Sequence, residues 1–404
     1  MVVNPVSAYH TALDGEVAAV VTALASRNAG FRQRLEAAGL ETADLRTVAD
    51  LDRLPIVTKD QVMDMQRASP PFGGLLSDDA TLRRVYQSPG PIYEPEPNLD
   101  DPWRFARALS AAGFGPDDIV LNAFGYHLSP AGAMFDEACQ ALGAALLPAG
   151  VGNKDMQVQA CLDLGITAYI GTPSYLKALL ERIEEMGLDS GLKLERAFVS
   201  GEPLPPSLRS WLSERVTTIR QGYGTAEAGN LAYECDQLDG MHVADDAIVQ
   251  VCDLTSGAAL EDETEGQVVV TLSRTDYAVV RFGTGDLSGW LLEPCPCGRR
   301  TPRLRGWLGR VGAAVKVRGM FLHPRQVERV VREVQGVADY RMIIDRIEHR
   351  DVVRCEVVPD GDHRLVTERV REAIRDGLRF ACEVTVVAPL PRDAERLIDQ
   401  RTWE

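Results

Sequence analysis

Four side chains that bind soft metals, Cys235, His242, Cys295 and Cys297, fall in two turn-rich segments with glycine and proline, spaced as Cys-x6-His and Cys-x-Cys. Three thiolates and one imidazole match a closed tetrahedral zinc site, which serves structure and leaves no position for water. The alternative is unligated thiols in a turn. A second set is suited to nucleotide chemistry. Gln221-Gly222-Tyr223-Gly224-Thr225-Ala226-Glu227 puts glycines, an aromatic ring and a carboxylate just after a strand-like run, where open α/β sheets form ligand sites. Arg281-Phe282-Gly283-Thr284-Gly285-Asp286 reads as a glycine-rich turn ending in an acid that suits a ribose diol, or equally the cap of a turn. Gly309-Arg310, then Val315-Lys316-Val317-Arg318-Gly319 and Pro324-Arg325-Gln326-Val327-Glu328, place basic side chains at a junction, or form a charged linker followed by a helix-starting proline.

The elements that must position these residues follow from length and rhythm. A chain of 404 residues, 45% hydrophobic and 25% charged, implies two or three structural units with a substantial interior. No stretch is long and apolar enough for a bilayer, and Met1 to Tyr9 lacks the pattern of a secretory signal, so the expected compartment is the cytoplasm. A net charge of -16 opposes non-specific binding to nucleic acid or anionic membrane and favours small-molecule partners. Of the eight cysteines, Cys139, Cys161, Cys252, Cys355 and Cys382 read as ordinary buried thiols.

Apolar spacing predicts a helical stretch over 8–38, with Thr58 capping a further helix. From Ile119 short apolar runs alternate with helical patterns: strands at 119–124, 144–148, 168–171, 196–200 and 217–221, helices at 131–142 and 174–186. That rhythm predicts a parallel sheet with crossover helices. Beyond Tyr223, strand-like pieces at 248–252 and 267–272 with intervening turns predict a more antiparallel subdomain. After Arg310 a strand, a helix from Pro324, strands at 341–344 and 354–358, a helix at 366–378 and a strand at 383–387 make a small α+β module. The fold class is therefore α/β, with a large N-terminal domain over 1–309 and a smaller α+β domain over 310–404.

In order and spacing the three motifs resemble the adenylate-forming superfamily: its Tyr-Gly-x-Ser/Thr-Glu motif, its Thr-Gly-Asp motif, and its Gly-Arg hinge leading to Arg-Gly-x-x-x-x-Pro-x-x-x-Glu. Asn122-Ala123-Phe124-Gly125-Tyr126, Gly171-Thr172-Pro173-Ser174-Tyr175, Gly201-Glu202-Pro203, Asp239-Gly240-Met241-His242 and Cys295-Pro296-Cys297-Gly298-Arg299 look like the phenylacetate-CoA ligase branch. The resemblance implies a mobile C-terminal domain and a carboxylic acid, here aromatic, that attacks ATP to give an acyl-adenylate before CoA or another acceptor takes the acyl group. It implies Ser200, Gly201, Glu202, Pro203, Tyr223, Gly224, Asp286 and Arg310 at the nucleotide, with Tyr223 on adenine and Asp286 and Arg310 on ribose. Glu227, Thr225 and Lys316 become the catalytic candidates, Glu227 holding Mg2+. Phe124, Tyr126, His127, Ser129 and Gly150 would line the acyl pocket. Relatives in the branch carry the zinc residues, and the resemblance allows a homodimer.

The chain departs from that pattern in its phosphate-handling parts. Where a Ser/Thr/Gly-rich loop ending in Gly-Lys-Pro should follow Tyr86 stands Gln87-Ser88-Pro89-Gly90-Pro91-Ile92-Tyr93-Glu94-Pro95, whose prolines lack N–H donors and whose Glu94 repels phosphate. Asp393 occupies the place of the adenylation lysine, Ala226 replaces a hydroxyl residue, and Gly312-Ala313 replace the acidic hinge pair. The alternative function is thus an acyltransferase or condensing enzyme fed with a preformed adenylate or thioester, or a non-catalytic binding protein. His127, Ser129, Asp136 and Glu137 make the acyl segment polar, which favours an amino- or hydroxy-substituted acid. Asp136 and Glu137 are expected to face solvent, because charged residues are rarely buried.

Overall fold

The computed structural model describes residues 4–88, 91–312, 315–318, 320–322, 324–378, 380–391 and 394–402. The chain divides into two compact units, Met1–Leu204 with Arg209–Val311, and Pro205–Leu208 with Gly312–Glu404. Among the described residues, no helix is long and apolar enough to cross a membrane.

The first unit opens with α1 (Pro5–Arg27) and α2 (Ala29–Ala37), where the sequence predicts one helical stretch. Asn28 makes the break. Its backbone N–H closes α1 on the Leu24 carbonyl, its side-chain oxygen accepts from Phe31 N to start α2, and its amide donates to the Leu75 carbonyl at 2.6 Å. α3 (Lys59–Ala68) starts on a reciprocal capping box between Thr58 and Gln61. β1 (Leu82–Ser88) and β2 (Ile92–Pro97) follow as an antiparallel hairpin where the sequence reads as a degenerate loop.

After α4 (Ala106–Ala111) come β3 (Ile119–Asn122), α5 (Ala131–Leu142), β4 (Ala145–Pro148), α6 (Lys154–Asp163), β5 (Ala168–Gly171), α7 (Pro173–Glu185), β6 (Arg196–Val199), α8 (Pro206–Ser213) and β7 (Thr218–Thr225). The strands pair in parallel in the order β4-β3-β5-β6-β7. β8 (Gly229–Tyr233) and β9 (Met241–Val243) continue this sheet antiparallel. A second sheet, entirely antiparallel, is built from β10 (Ala247–Cys252), β11 (Ala259–Leu260), β12 (Gly266–Leu272) and β13 (Phe282–Ser288). β14 (Trp290–Leu291) and β15 (Arg303–Leu304) return to the edge of the nine-stranded first sheet, while β16 (Gly309–Arg310) completes the five-stranded second one on β13. α1 packs Val17, Val21 and Leu24 into one core with Val249 and Val270 of that second sheet.

β3 lies between β4 and β5 although the chain visits β4 first, so the strand order reverses beside β3. Crevices outside the carboxyl ends of strands at such a reversal are where α/β sheets hold ligands. Asn122, at the end of β3, is fully buried there. Phe198 of β6 meets Phe105 and Phe135 beneath the same end, with ring centroids 6.4 and 6.0 Å away.

The second unit has a short pair, β17 (Val315–Val317) with β18 (Met320–Leu322), then α9 (Pro324–Arg332). β19 (Val337–Ile347), β20 (Arg350–Pro359), α10 (His363–Leu378), β21 (Glu383–Val386) and β22 (Leu397–Asp399) follow, the sheet running β21-β20-β19-β22. Val327, Val331, Val366, Val370 and Ile374 bring the two helices onto Met342, Ile344, Cys355 and Val357 of the sheet.

A Cβ on Gly222 would sit 2.3 Å from Phe198 Cζ, and Phe198 is fully buried in the aromatic cluster. The Gly222→Ala change is expected to destabilise by about 1–3 kcal/mol through overpacking, read as a lowered melting temperature. An unchanged melting temperature would show that the ring yields freely.

Candidate functional site

Within the first unit, β7, β13 and β16 bring together the residues from three separate stretches of sequence. The Tyr223-to-Glu227 motif is the end of β7 and the turn after it, with a bulge between Tyr223 and Gly224. A Cβ on Gly224 would meet the Gly229 carbonyl oxygen at 2.5 Å, so only glycine lets the returning strand come so close. The Thr284-Gly285-Asp286 segment is not the turn expected from its glycines but the middle of β13. Register places Asp286 opposite Arg310, and Arg310 Nε lies 3.0 Å from Asp286 Oδ1. Tyr223 donates its hydroxyl to Asp286 Oδ2 at 3.0 Å, and the Trp307 indole donates to Asp286 Oδ1 at 2.9 Å. Burial, then the Asp286 charge, push the Tyr223 phenol well above its usual range, so it stays a donor. Ser200 bonds the Gly222 carbonyl at 2.9 Å, and Gln221 bonds the carbonyl of Glu202 at 3.1 Å, which ties Ser200, Gly201, Glu202 and Pro203 to β7.

The Glu227 side chain is 4% exposed and sits 2.6 Å from Lys59 Nζ, the first residue of α3. Burial alone would raise its carboxyl, but Lys59 pulls it below the ordinary range. The hairpin supplies a second acid. Glu94, 2% exposed, accepts from Ser88 Oγ at 2.8 Å. Burial and then repulsion by Glu227 push it up to about 8. Tyr277, also buried, responds to both acids. Sequence reasoning did not single out Lys59 in this role, and its only signal was its place after the Thr58 cap.

The hairpin is bolted in place. Gln66 of α3 exchanges two 2.8 Å bonds with the backbone of Tyr93, and Gln87 N donates to the Leu128 carbonyl at 2.8 Å. Arg83 and Arg84 both ion-pair with Glu137 of α5, and Tyr86 donates to the fully buried Glu96 at 3.0 Å. Glu137 is therefore buried rather than solvent-facing, because two guanidiniums from the hairpin neutralise it.

Asp136 is half-buried and likewise does not simply face solvent. It accepts from the Tyr126 hydroxyl at 2.6 Å, which in turn accepts from Asn122 Nδ2 at 2.8 Å. The Tyr126 ring covers Gly132, where a Cβ would meet it at 2.9 Å. Phe124 stacks on Phe135 with centroids 5.0 Å apart and planes 9° from parallel. Gly150, at positive φ, donates to the Asn122 carbonyl at 3.0 Å. His127 is exposed, and Ser129 accepts from Ala131 N at the start of α5. Lys316 lies on β17 with its side chain outside the described residues, as does the whole of Asp393.

Cys235, His242, Cys295 and Cys297 gather with their ligand atoms within 4.8 Å of one another. Cys235 and Cys295 sulfurs are 3.6 Å apart, and Cys297 Sγ is 3.2 Å from His242 Nε2. A tetrahedral metal with sulfur at about 2.3 Å and nitrogen at about 2.0 Å has ligand edges of roughly 3.5–3.8 Å, so the donors fit. His242 Nδ1 is 2.8 Å from the Thr301 carbonyl, the contact that turns Nε2 toward the sulfurs.

Fold and site together define an AMP-binding enzyme. Residues 152–273 match the AMP-binding enzyme family and residues 319–401 the C-terminal domain of AMP-binding enzymes. The chain belongs to this family. It is 29% identical to a phenylacetate-coenzyme A ligase of Thermus thermophilus, covering 89% of this chain and 88% of that protein. It is 27% identical to one of Aromatoleum evansii, covering 93% and 90%. A 2-hydroxyisobutyryl-CoA ligase, solved with 2-HIB-AMP and CoA in the thioesterification state, shares the fold with a TM-score of 0.89 at 24% identity, covering 98% of this chain and 90% of that one.

The raised Glu94 carboxyl gives a signed pH dependence. Its ordinary value is 4.5 and its folded value about 8, so its stabilising contribution is complete below the first and is lost as pH rises through the second. Glu94→Gln, which keeps the shape without the charge, should gain melting temperature over the native protein at about pH 8.5 and gain much less at about pH 5.5. The same offset at both values would show that Glu94 is not held neutral by the fold.

Proposed function

We propose that this protein is an acid–thiol ligase-like enzyme that handles an aromatic carboxylic acid as its acyl-adenylate and passes the acyl group to CoA or another acceptor. The observation that carries the proposal is the convergence of Tyr223, Asp286 and Arg310 in one unit, a set of donors and acceptors suited to a ribose and base. The Phe124–Phe135 stack at the carboxyl end of β3 supports an aromatic acyl group, and the Asp136–Tyr126–Asn122 chain supports an amino or hydroxyl substituent on it. Ser200 to Pro203, Gly224 and Thr225 would border the nucleotide, with Glu227 facing its phosphate. Mg2+ at Glu227 would supply charge neutralisation there, and Lys59 already stands in that direction. Gly150 would border the acyl group, and Lys316 would serve the C-terminal unit, whose mobility about residues 309–312 is part of the proposal. The reading assigns a cytoplasmic enzyme, and a homodimer is compatible with it.

A second reading rests on Glu94. The expected phosphate loop is a braced hairpin whose buried side chain toward Glu227 is an acid, so the site is built for a monophosphate better than for a triphosphate. Under this reading the acyl-adenylate arrives preformed or is made slowly. A phosphate-binding cation replaced by a buried acid that the fold holds neutral removes an attractive contact, worth roughly 2–4 kcal/mol in a closed site. Calorimetry should therefore find AMP, or a non-hydrolysable acyl-adenylate analogue, bound at least as tightly as ATP. Thioester formation from a synthetic aryl-adenylate and CoA should outrun formation from acid and ATP by about a hundredfold. Rapid acid-dependent pyrophosphate exchange with ATP bound far more tightly than AMP would restore the ordinary ligase.

Zinc is the proposed occupant of the Cys235, His242, Cys295 and Cys297 cluster, in a structural role. Elemental analysis of protein purified without added metal should find about one zinc per chain, and Cys297→Ser should lower both metal content and melting temperature. Metal-free protein of full stability would refute the assignment.

A further inference from the structure

Asp136 and Glu137 are consecutive acids on α5, and the fold provides for their charges in opposite ways. The difference bears on which acyl substituent this chain reads, an inference that rests on the acyl assignment above. Glu137 receives both Arg83 and Arg84, which also lie beside Glu96, so two positive charges meet two negative ones. Among the described residues Asp136 meets no cation. Its contacts are to neutral donors, the Tyr126 hydroxyl at 2.6 Å and Asn122 Nδ2 at 3.3 Å, both on Oδ1. Oδ2 has no hydrogen-bond partner among those residues, and solvent reaches it.

The donors of this network are spent within it. The amide hydrogens of Asn122 go to the Tyr126 oxygen at 2.8 Å and the Gly132 carbonyl at 2.9 Å, and the Tyr126 hydrogen goes to Asp136. What remains for an incoming group is the Oδ2 acceptor and its charge, so that group must donate. The same residues set a ring beside the charge. Asn122 Oδ1 accepts from Phe124 N at 3.1 Å, so one side chain holds both Phe124 and Tyr126. The Tyr126 ring can lie against α5 only because residue 132 is glycine, where a Cβ would meet it at 2.9 Å. Phe135, the residue before Asp136, stacks on Phe124, which is half-buried and still offers part of its surface. A hydroxyl could fill Oδ2 but would leave the charge uncompensated, whereas an ammonium supplies donors and counter-charge together, as enclosed charges require.

We propose that Asp136 is a specificity-determining residue that reads an ammonium group on the acyl substrate, through Oδ2. The substrate is then an aromatic acid that carries an ionised primary amine on an alkyl carbon. Tyr126 and Asn122 hold the carboxylate in place from the Oδ1 side, and Phe124 meets the ring.

The test is calorimetry on the full chain with benzylammonium and benzyl alcohol, which share ring and reach and differ in charge. It is run at about pH 7.5, well below the range in which an alkylamine loses its proton. The native protein should bind benzylammonium at least about tenfold more tightly than benzyl alcohol, since a hydrogen bond between charged groups accounts for a ratio of that order. Asp136→Asn, which keeps an acceptor for Tyr126 but no charge, should bring the two affinities within about twofold of each other by weakening benzylammonium. Asp136→Ser gives the same reading through a smaller side chain. A merely structural role for Asp136 would weaken both probes alike, and a preference that survives in both variants would belong to another acid. Either result overturns the proposal. So does a native preference below about twofold, which needs no variant to fold. AMP is titrated into the same samples. AMP binding without a preference for benzylammonium overturns this proposal alone, whereas native protein that binds neither AMP nor either probe overturns the acyl-adenylate reading with it.

Discussion

The Lys59–Glu227 ion pair is the constraint on which the rest of the candidate site depends. A carboxylate as enclosed as Glu227 must have a cation beside it, and the cation comes from the first turn of α3. α3 must therefore start at one place, which the Thr58–Gln61 capping box secures. It must also lie along the hairpin, which Gln66 secures by pairing with Tyr93. The hairpin in turn presents Glu94 toward Glu227 and reaches the acyl segment through Leu128 and Glu137. One buried charge thus orients a helix, a hairpin and the loop that follows β3.

Asp286 organises the other side in the same manner, but with neutral donors added to the cation. Tyr223, Trp307 and Arg310 come from β7, from the segment before β16 and from β16 itself, and they meet at one carboxylate. The two acids differ in surroundings and hence in behaviour. Glu227 has a mobile type of partner, a lysine with a single charged nitrogen, whereas Asp286 is enclosed by planar groups whose directions are set by strand pairing.

The parallel strands were legible because they are short apolar runs separated by helical patterns, and β5 and α5 fall at the residues read from periodicity alone. The three glycine-bearing motifs were legible as a series. The hairpin was not. Its prolines and charges resemble a solvated loop, and the pairing of Arg83 and Arg84 with Glu137 spans 54 and 53 residues, which no local pattern records. For the same reason Asp136 and Glu137 read as a wet helix face, although their partners Tyr126, Arg83 and Arg84 bring them inward. The Thr284-Gly285-Asp286 segment looked like a turn because glycine is common in turns. In the fold, Gly285 instead adopts positive φ within a strand and leaves room for Arg310. The break at Asn28 was missed because apolar spacing continues across it.

The braced hairpin has a consequence for how such a chain can change through descent. Replacing Glu137 alone leaves two guanidiniums to share the single buried carboxylate of Glu96, and replacing either arginine alone leaves the two acids one counter-charge short. Substitutions in such a network do not add, so the merit of each depends on the others already being present. Arg83, Arg84, Glu96 and Glu137 consequently act as one coupled unit. A change at one of the four alters what a change at another costs, which is epistasis written into a single salt-bridge cluster.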